Sequence, residues 1–106
     1  MTTTDVPTDG REAVADLQSV LSALADPVRL EMVRRLHNAD DTLSCAQLYD
    51  TVTKATASHH FKILRAAGLV ERRAVGQGAR YELRSDEVEA AYPGLLPAVL
   101  AAANAS

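Results

Sequence analysis

Three patterns predict a mainly α fold with a small β component. Leucines, valines and alanines recur at helical spacing in four stretches between Arg11 and Ala67. The runs LVERRAV and ARYELR then alternate on either side of Gly76-Gln77-Gly78, as a hairpin does. A last, very apolar stretch holding Leu95, Leu96, Val99 and Leu100 returns to helix.

Each element has its own signal. Residues 1–9, rich in Thr and Asp, read as a loose tail, and residues 10–106 as one domain. Val14, Leu17, Leu21 and Leu24 place a first helix over Arg11 to Ala25. Asp26-Pro27 ends it and opens a second, with Asp26 as cap and Pro27 in the first turn. That helix carries Val28, Leu30, Met32, Val33 and Leu36, and Asn38 to Thr42 follows as a polar loop. Ser44-Cys45-Ala46-Gln47 has the form of a capping box, so a short third helix starts at Cys45. Thr53 is placed to cap a fourth helix running through Ala67, with Gly68 as its stop. In the hairpin, Ala79, Tyr81 and Leu83 face one way while Arg80, Glu82 and Arg84 face the other. Ser85 is expected to cap a further helix through Asp86, Glu87 and Val88, broken at Pro93-Gly94. Two helices joined by a tight turn, followed by a hairpin, give the order of a winged helix-turn-helix domain. The first and last helices are more apolar than so small a chain can hide, which predicts that they form a dimer interface.

Composition narrows the class. One cysteine among 106 residues excludes an internal disulfide framework. The stretch MTTTDVPTDGR lacks the basic patch and apolar run of a signal peptide, and no apolar stretch approaches membrane-spanning length; a cytoplasmic protein is expected. The formal net charge of −3 argues against nucleic acid until position is considered. Residues 54–84 hold seven cations against two acids, a local charge of +5 in a chain whose remainder carries −8. Such a basic segment is what a polyanion responds to.

KATASHHFKILR, the fourth helix, holds the adjacent pair His59 and His60. With Leu64 at the centre of the inner face, Ala57, His60, Phe61 and Ala67 cluster beside it. Ala55, Ser58, His59, Lys62 and Ala66 fall opposite. Neighbouring helical residues diverge, so the two histidines do not chelate one ion; ligand pairs sit three or four residues apart. His60 is then a partly buried, hydrogen-bonded structural group. Ser58, His59 and Lys62, with Lys54 and Thr56 near the N-terminus, make a face of small and hydrogen-bonding side chains suited to a major groove.

ALADPVRLEMVRRL, ATASHHFKILRAAGLVERR and GQGARYELR resemble the ArsR/SmtB family of bacterial winged-helix repressors, from about Leu17 to Leu96. The resemblance implies a homodimer on an inverted-repeat operator of double-stranded DNA, released when an inducer binds. It matches Lys54, Ser58 and His59 to base- and phosphate-contacting positions, and the hairpin from Gly76 to Arg80 to the wing, where Arg73 and Arg80 would touch phosphate or minor groove. The family's metal ligands are missing. Ser44-Cys45-Ala46 stands where a Cys-x-Cys pair would, and no histidine follows residue 60 to join Asp86, Glu87 and Glu89. No metal and no cofactor is expected.

Cys45 is the remaining chemical handle. In the first turn of a helix, the dipole favours its thiolate, which makes it a candidate redox sensor; a small buried thiol with no reactivity is the plainer alternative. A small organic ligand is a second alternative inducer. Enzymatic activity is not expected, since no phosphate loop, nucleophile elbow or one-faced histidine pair is present. A winged helix that binds protein and never DNA is the alternative from another class.

Overall fold

The computed structural model describes residues 13–39, 42–48, 52–76 and 78–105, excepting the side chain of Cys45. The tail assigned to residues 1–9 lies outside that range, as does Gln77 of the hairpin turn. In chain order the elements are α1 (Leu17–Ala25), α2 (Pro27–Ala39), β1 (Leu43–Ser44), α3 (Cys45–Leu48), α4 (Lys54–Ala66), β2 (Val70–Val75), β3 (Gly78–Leu83), α5 (Ser85–Ala91) and α6 (Leu95–Ala105). The expected order of helices and hairpin is present, in a fold that is mainly α.

Caps decide where the helices begin. Helix α1 starts at Leu17, later than its apolar spacing predicts, because the Asp16 carboxylate accepts from the Ser19 N–H and hydroxyl. Asp26 caps α2 as expected, accepting from the N–H groups of Val28 at 2.8 Å and Arg29 at 3.1 Å. Only half of the capping box forms at α3. Gln47 Oε1 accepts from the Ser44 N–H, while the Ser44 hydroxyl also turns to Gln47. Thr53 caps α4 by accepting from the Thr56 N–H. At α5 the cap position belongs to Arg84, without a side-chain cap bond, and Ser85 is the first helical residue. Pro93-Gly94 separates α5 from α6 as the sequence indicates.

The sheet is antiparallel, in the order β1-β3-β2. Strand β1 falls just after the predicted polar loop and pairs Leu43 with Tyr81 and Ser44 with Arg80. Tyr81 is buried and Ala79 and Leu83 half-buried, as their alternation requires. Arg84, predicted on the charged outer face, is instead buried at 7% exposure, where Glu87 accepts from its guanidinium at 3.0 and 3.1 Å. A buried charge must be paired, and Glu87 meets that need one helical turn on.

The core is aliphatic. Val20, Met32, Val33, Leu64, Leu69 and Leu100 are almost completely enclosed, and each contributes about 1.5–3 kcal/mol by leaving water. Leu17 and Leu21 on α1 remain nearly half exposed, at 46% and 45%. A polar clasp links the periphery: Glu31 on α2 accepts from Arg34 and Arg35, Arg34 reaches Asn104 on α6, and Arg35 donates to the Gln47 carbonyl of α3. The Arg34 hydrogen bond, with a further bond and charge from Arg35, outweighs desolvation and holds the Glu31 carboxyl down at about 2.

Ahead of α1, the chain is laid across the end of α4. The Ala15 N–H donates to the Ala67 carbonyl, and the Tyr92 hydroxyl donates to the Ala15 carbonyl at 2.7 Å. Gly68 makes this possible. Its φ is +80°, and an added Cβ would stand 2.6 Å from both the Ala13 carbonyl oxygen and the Val14 Cα. Gly94 has a similar φ of +83° but open space around it. Urea unfolding should therefore separate the two: Gly94→Ala costs about 1–2 kcal/mol from backbone strain alone. Gly68→Ala costs clearly more, because the strap must also lift. A second measurement addresses Glu31. Its folded pKa is depressed, so its contribution is complete above pH 4.5 and is lost as pH falls towards 2. Glu31 is itself over a third exposed, so after screening that contribution is about 0.5–1 kcal/mol. Glu31→Gln should remove it at neutral pH and flatten stability against pH across that window.

Candidate nucleic-acid interface

Helix α4 is amphipathic in the sense its sequence requires. Ala57, His60, Phe61 and Leu64 are buried, while Lys54, Ala55, Thr56, Ser58, His59, Lys62 and Ala66 are exposed. Every candidate on this helix thus lies on one solvent-facing surface. Thr56 is partly committed, since its hydroxyl accepts from the Thr53 hydroxyl at 2.9 Å within the cap. The rings of His59 and His60 are tilted at 56° with centroids 5.8 Å apart, and they point to different environments.

Two contacts fix the roll of α4. On the sheet side, Phe61 stacks on Tyr81 of β3, with ring centroids 4.1 Å apart and planes within 10°. On the helical side, the Arg29 guanidinium sits 3.1 Å from Nδ1 of His60. Arginine only donates, so Nδ1 is the acceptor and the ring proton resides on Nε2. Arg29 also donates to the Ala23 carbonyl at 2.7 Å and the Ser22 carbonyl at 3.4 Å, tying the end of α1 into the same joint. Asp26 completes it, with its carboxylate 4.0 Å from His60 Nδ1. Partial burial would raise that carboxyl, but the bonds from Arg29 and Val28 N–H and the Arg29 charge hold it below its ordinary value. His60 is 7% exposed and engaged, the structural residue its position on the helix predicts.

The hairpin candidates are placed differently. Arg73 and Arg80 oppose each other in register on the outer sheet face. The Arg73 guanidinium lies 2.7 Å from Glu82 and 3.9 Å from Glu71, bridging two acids that face each other across the strands. Arg80 donates to the Thr42 hydroxyl at 2.6 Å and to the Thr42 carbonyl at 2.9 Å. Both side chains already have work inside the domain. Cys45 opens α3 in the backbone, but its side chain lies outside the described atoms. Among the described residues, no three His, Cys, Asp or Glu side chains converge as a metal site requires. No helix among the described residues is long and apolar enough to cross a membrane.

Sequence reasoning missed the pairing of the cations. Among the described residues, the side chains of Lys54, Lys62, Arg65 and Arg72 make no hydrogen bond or ion pair, whereas every other lysine or arginine side chain has a partner. The four free ones all lie on α4 and β2, two elements that pack together. Nothing in a one-dimensional charge count separates Arg72 from Arg73.

A family model described as a helix-turn-helix domain matches residues 24–73. An uncharacterised HTH-type transcriptional regulator of Bacillus subtilis, YceK, is 37% identical over 79 residues, covering 73% of this chain and 79% of that protein. A putative arsenical resistance operon repressor of Halobacterium salinarum, ArsR2, is 40% identical over 76 residues, 70% of this chain and 63% of that protein. Among solved structures, the homodimeric winged helix-turn-helix DNA-binding domain of Mb0332 from Mycobacterium bovis, described as a possible ArsR-family regulator, superposes with a TM-score of 0.63. It is 27% identical, and the alignment covers 78% of this chain and 76% of that one.

The two faces of α4 make opposite forecasts. His60→Ala strands the Arg29 donors and opens a void, which should lower stability by about 1–3 kcal/mol in urea unfolding. His59→Ala should leave unfolding within about 0.5 kcal/mol of the parent protein, as for other exposed sites.

Proposed function

The chain belongs to the ArsR family of winged helix-turn-helix, DNA-binding transcriptional regulators, and from that premise we propose that it is a cytoplasmic homodimeric repressor. The observation that carries the proposal is the exposed face of α4, where Lys54, Thr56, Ser58, His59 and Lys62 stand together on a helix held from behind at two points. The small side chain of Ala55 lets the helix backbone approach a groove closely, whereas Ala57, the other small residue expected to do so, is buried in the core. The hydroxyls, imidazole and ammonium groups supply donors to base edges and phosphates. Two such helices, one per protomer, read successive major grooves of an inverted repeat about one turn apart.

Dimerisation has its own support. Leu17 and Leu21 leave apolar surface on α1 exposed, and α6 carries no charged residue in eleven positions. The similar domain from Mycobacterium bovis is homodimeric. Covering these faces would add burial that a chain of this size needs. The similarity to a protein named as a repressor supports the sign of the regulation.

The inducing signal proposed is oxidation of Cys45, the chain's single thiol. It stands at the first residue of α3, the helix that leads into α4, so a modification there disturbs the support of the reading helix. Arg73 and Arg80, the wing candidates, can reach phosphate only by leaving Glu82 and Thr42. The exposed Arg73 pair is the cheaper of the two to open.

Fluorescence anisotropy on a duplex from upstream of the protein's own gene tests the reading. Reduced protein should bind with an affinity that falls steeply as salt rises. Hydrogen peroxide, which takes the single Cys45 thiolate to sulfenic acid and is itself reduced to hydroxide, should release it, and Cys45→Ser should keep its affinity under peroxide. Binding that ignores peroxide would remove Cys45 from the mechanism and leave the repressor; no binding at low salt would remove the repressor. His59→Ala should change preference among operator variants, and Leu21→Glu should give a monomer in sedimentation equilibrium.

A further inference from the structure

The geometry points to Arg72, and not Arg73 or Arg80, as the hairpin residue that binds the DNA phosphate backbone. This rests on the reading of α4 as the DNA-facing helix. The three arginines of the hairpin are close in sequence or register, yet they are in different states. Arg73 neutralises the facing pair Glu71 and Glu82, with its guanidinium 2.7 Å from Glu82. Arg80 fastens β3 to Thr42 by two hydrogen bonds. Arg72 is exposed, and its side chain makes no hydrogen bond or ion pair among the described residues.

Its position adds direction to that freedom. Arg72 pairs in register with Tyr81, so the two leave the sheet on the same side, and Tyr81 is the residue that stacks on Phe61 of α4. Arg73 leaves on the opposite side, with Arg80. Arg72 is therefore the hairpin cation on the α4 side of the sheet. It stands on the strand that packs against α4, the helix that carries the unpaired side chains of Lys54 and Lys62. Arg65 is also unpaired, but it occupies the last turn of α4, where a cation complements the helix dipole; Arg72 on a strand has no such use.

Energetics favour the same assignment. A guanidinium that binds phosphate from Arg73 or Arg80 first gives up a partner: Arg73 leaves Glu71 facing Glu82, and Arg80 breaks its two hydrogen bonds to Thr42. Arg72 exchanges only water for phosphate. Counterion release then appears in full in the salt dependence, about 0.9 in the slope of log K against log salt for each phosphate neutralised.

Because phosphate contacts carry no sequence information, a random-sequence duplex is a sufficient probe. Anisotropy titrations from 50 to 200 mM salt would compare the parent protein with Arg72→Gln, Arg72→Lys, Arg73→Gln and Arg80→Gln, each checked for folding by its thermal unfolding curve. The expected result is that Arg72→Gln lowers the slope by about 0.9 per protomer, so that its affinity falls about 3.5-fold less per protomer over that range. Arg72→Lys restores the slope, and the other two variants keep it. A parent slope retained in Arg72→Gln overturns the assignment, as does a drop with folded Arg73→Gln or Arg80→Gln that equals or exceeds it. If the parent protein itself does not bind, the DNA-facing reading of α4 fails, an outcome separate from the choice among arginines.

Discussion

Arg29 stands on α2, donates to two carbonyls at the end of α1, and places its guanidinium against Nδ1 of His60 on α4. Apolar packing alone leaves helices free to slide and rotate at little cost, because an aliphatic face is tolerant of its partners. A guanidinium between carbonyls and an imidazole is not tolerant: its donors have fixed directions, and an unmet donor in that half-buried place is costly. Together with the stack of Phe61 on Tyr81, this joint sets the roll of α4, and with it which histidine is hidden and which is offered to solvent. Asp26 serves it twice, capping α2 and setting a negative charge beside it.

Charge in this molecule is sorted by use more than by sign. Of the cations of α2, Arg29 is consumed by α1 carbonyls and His60, and Arg34 and Arg35 by Glu31, Asn104 and the α3 backbone. Those of the outer sheet face are consumed by Glu71, Glu82 and Thr42. Among the described residues, what is left over lies on α4 and β2. An acidic protein can in this way present a basic surface, because the acids elsewhere are spent on neighbours or stand on other elements.

Much of the architecture was legible because it depends on local chemistry. Asp26, Thr53, Gly68 and Pro93-Gly94 each act within a few residues, and each marks its boundary where expected. The inner face of α4 follows from periodicity, which needs no knowledge of the partner. Strand β1 was not legible, since two residues carry no alternation and become a strand only when Tyr81 and Arg80 arrive beside them. The start of α1 was misplaced for a related reason: the apolar spacing extends back to Val14, but Val14 belongs to the strap over Gly68 and the Asp16 cap comes later. Arg84 read as a surface residue because its partner Glu87 lies on the next element. Among the candidate interface residues, the face of α4 could be named from sequence, whereas the condition of each arginine is set by register and reach.

The strap has a consequence for the order in which the molecule can be made. Ala15 is bound on one side by Ala67 and on the other by Tyr92, 77 residues further along the chain. During synthesis the segment ahead of α1 is produced first, yet its seat is completed only when α5 has left the ribosome. Until then the strap is held by Ala67 alone, while Arg29 already ties the far end of α1 to α2 and α4. The earliest piece of this domain is therefore among the last to be fastened on both sides, and a nascent chain stalled short of Tyr92 holds a strap bound on one side only.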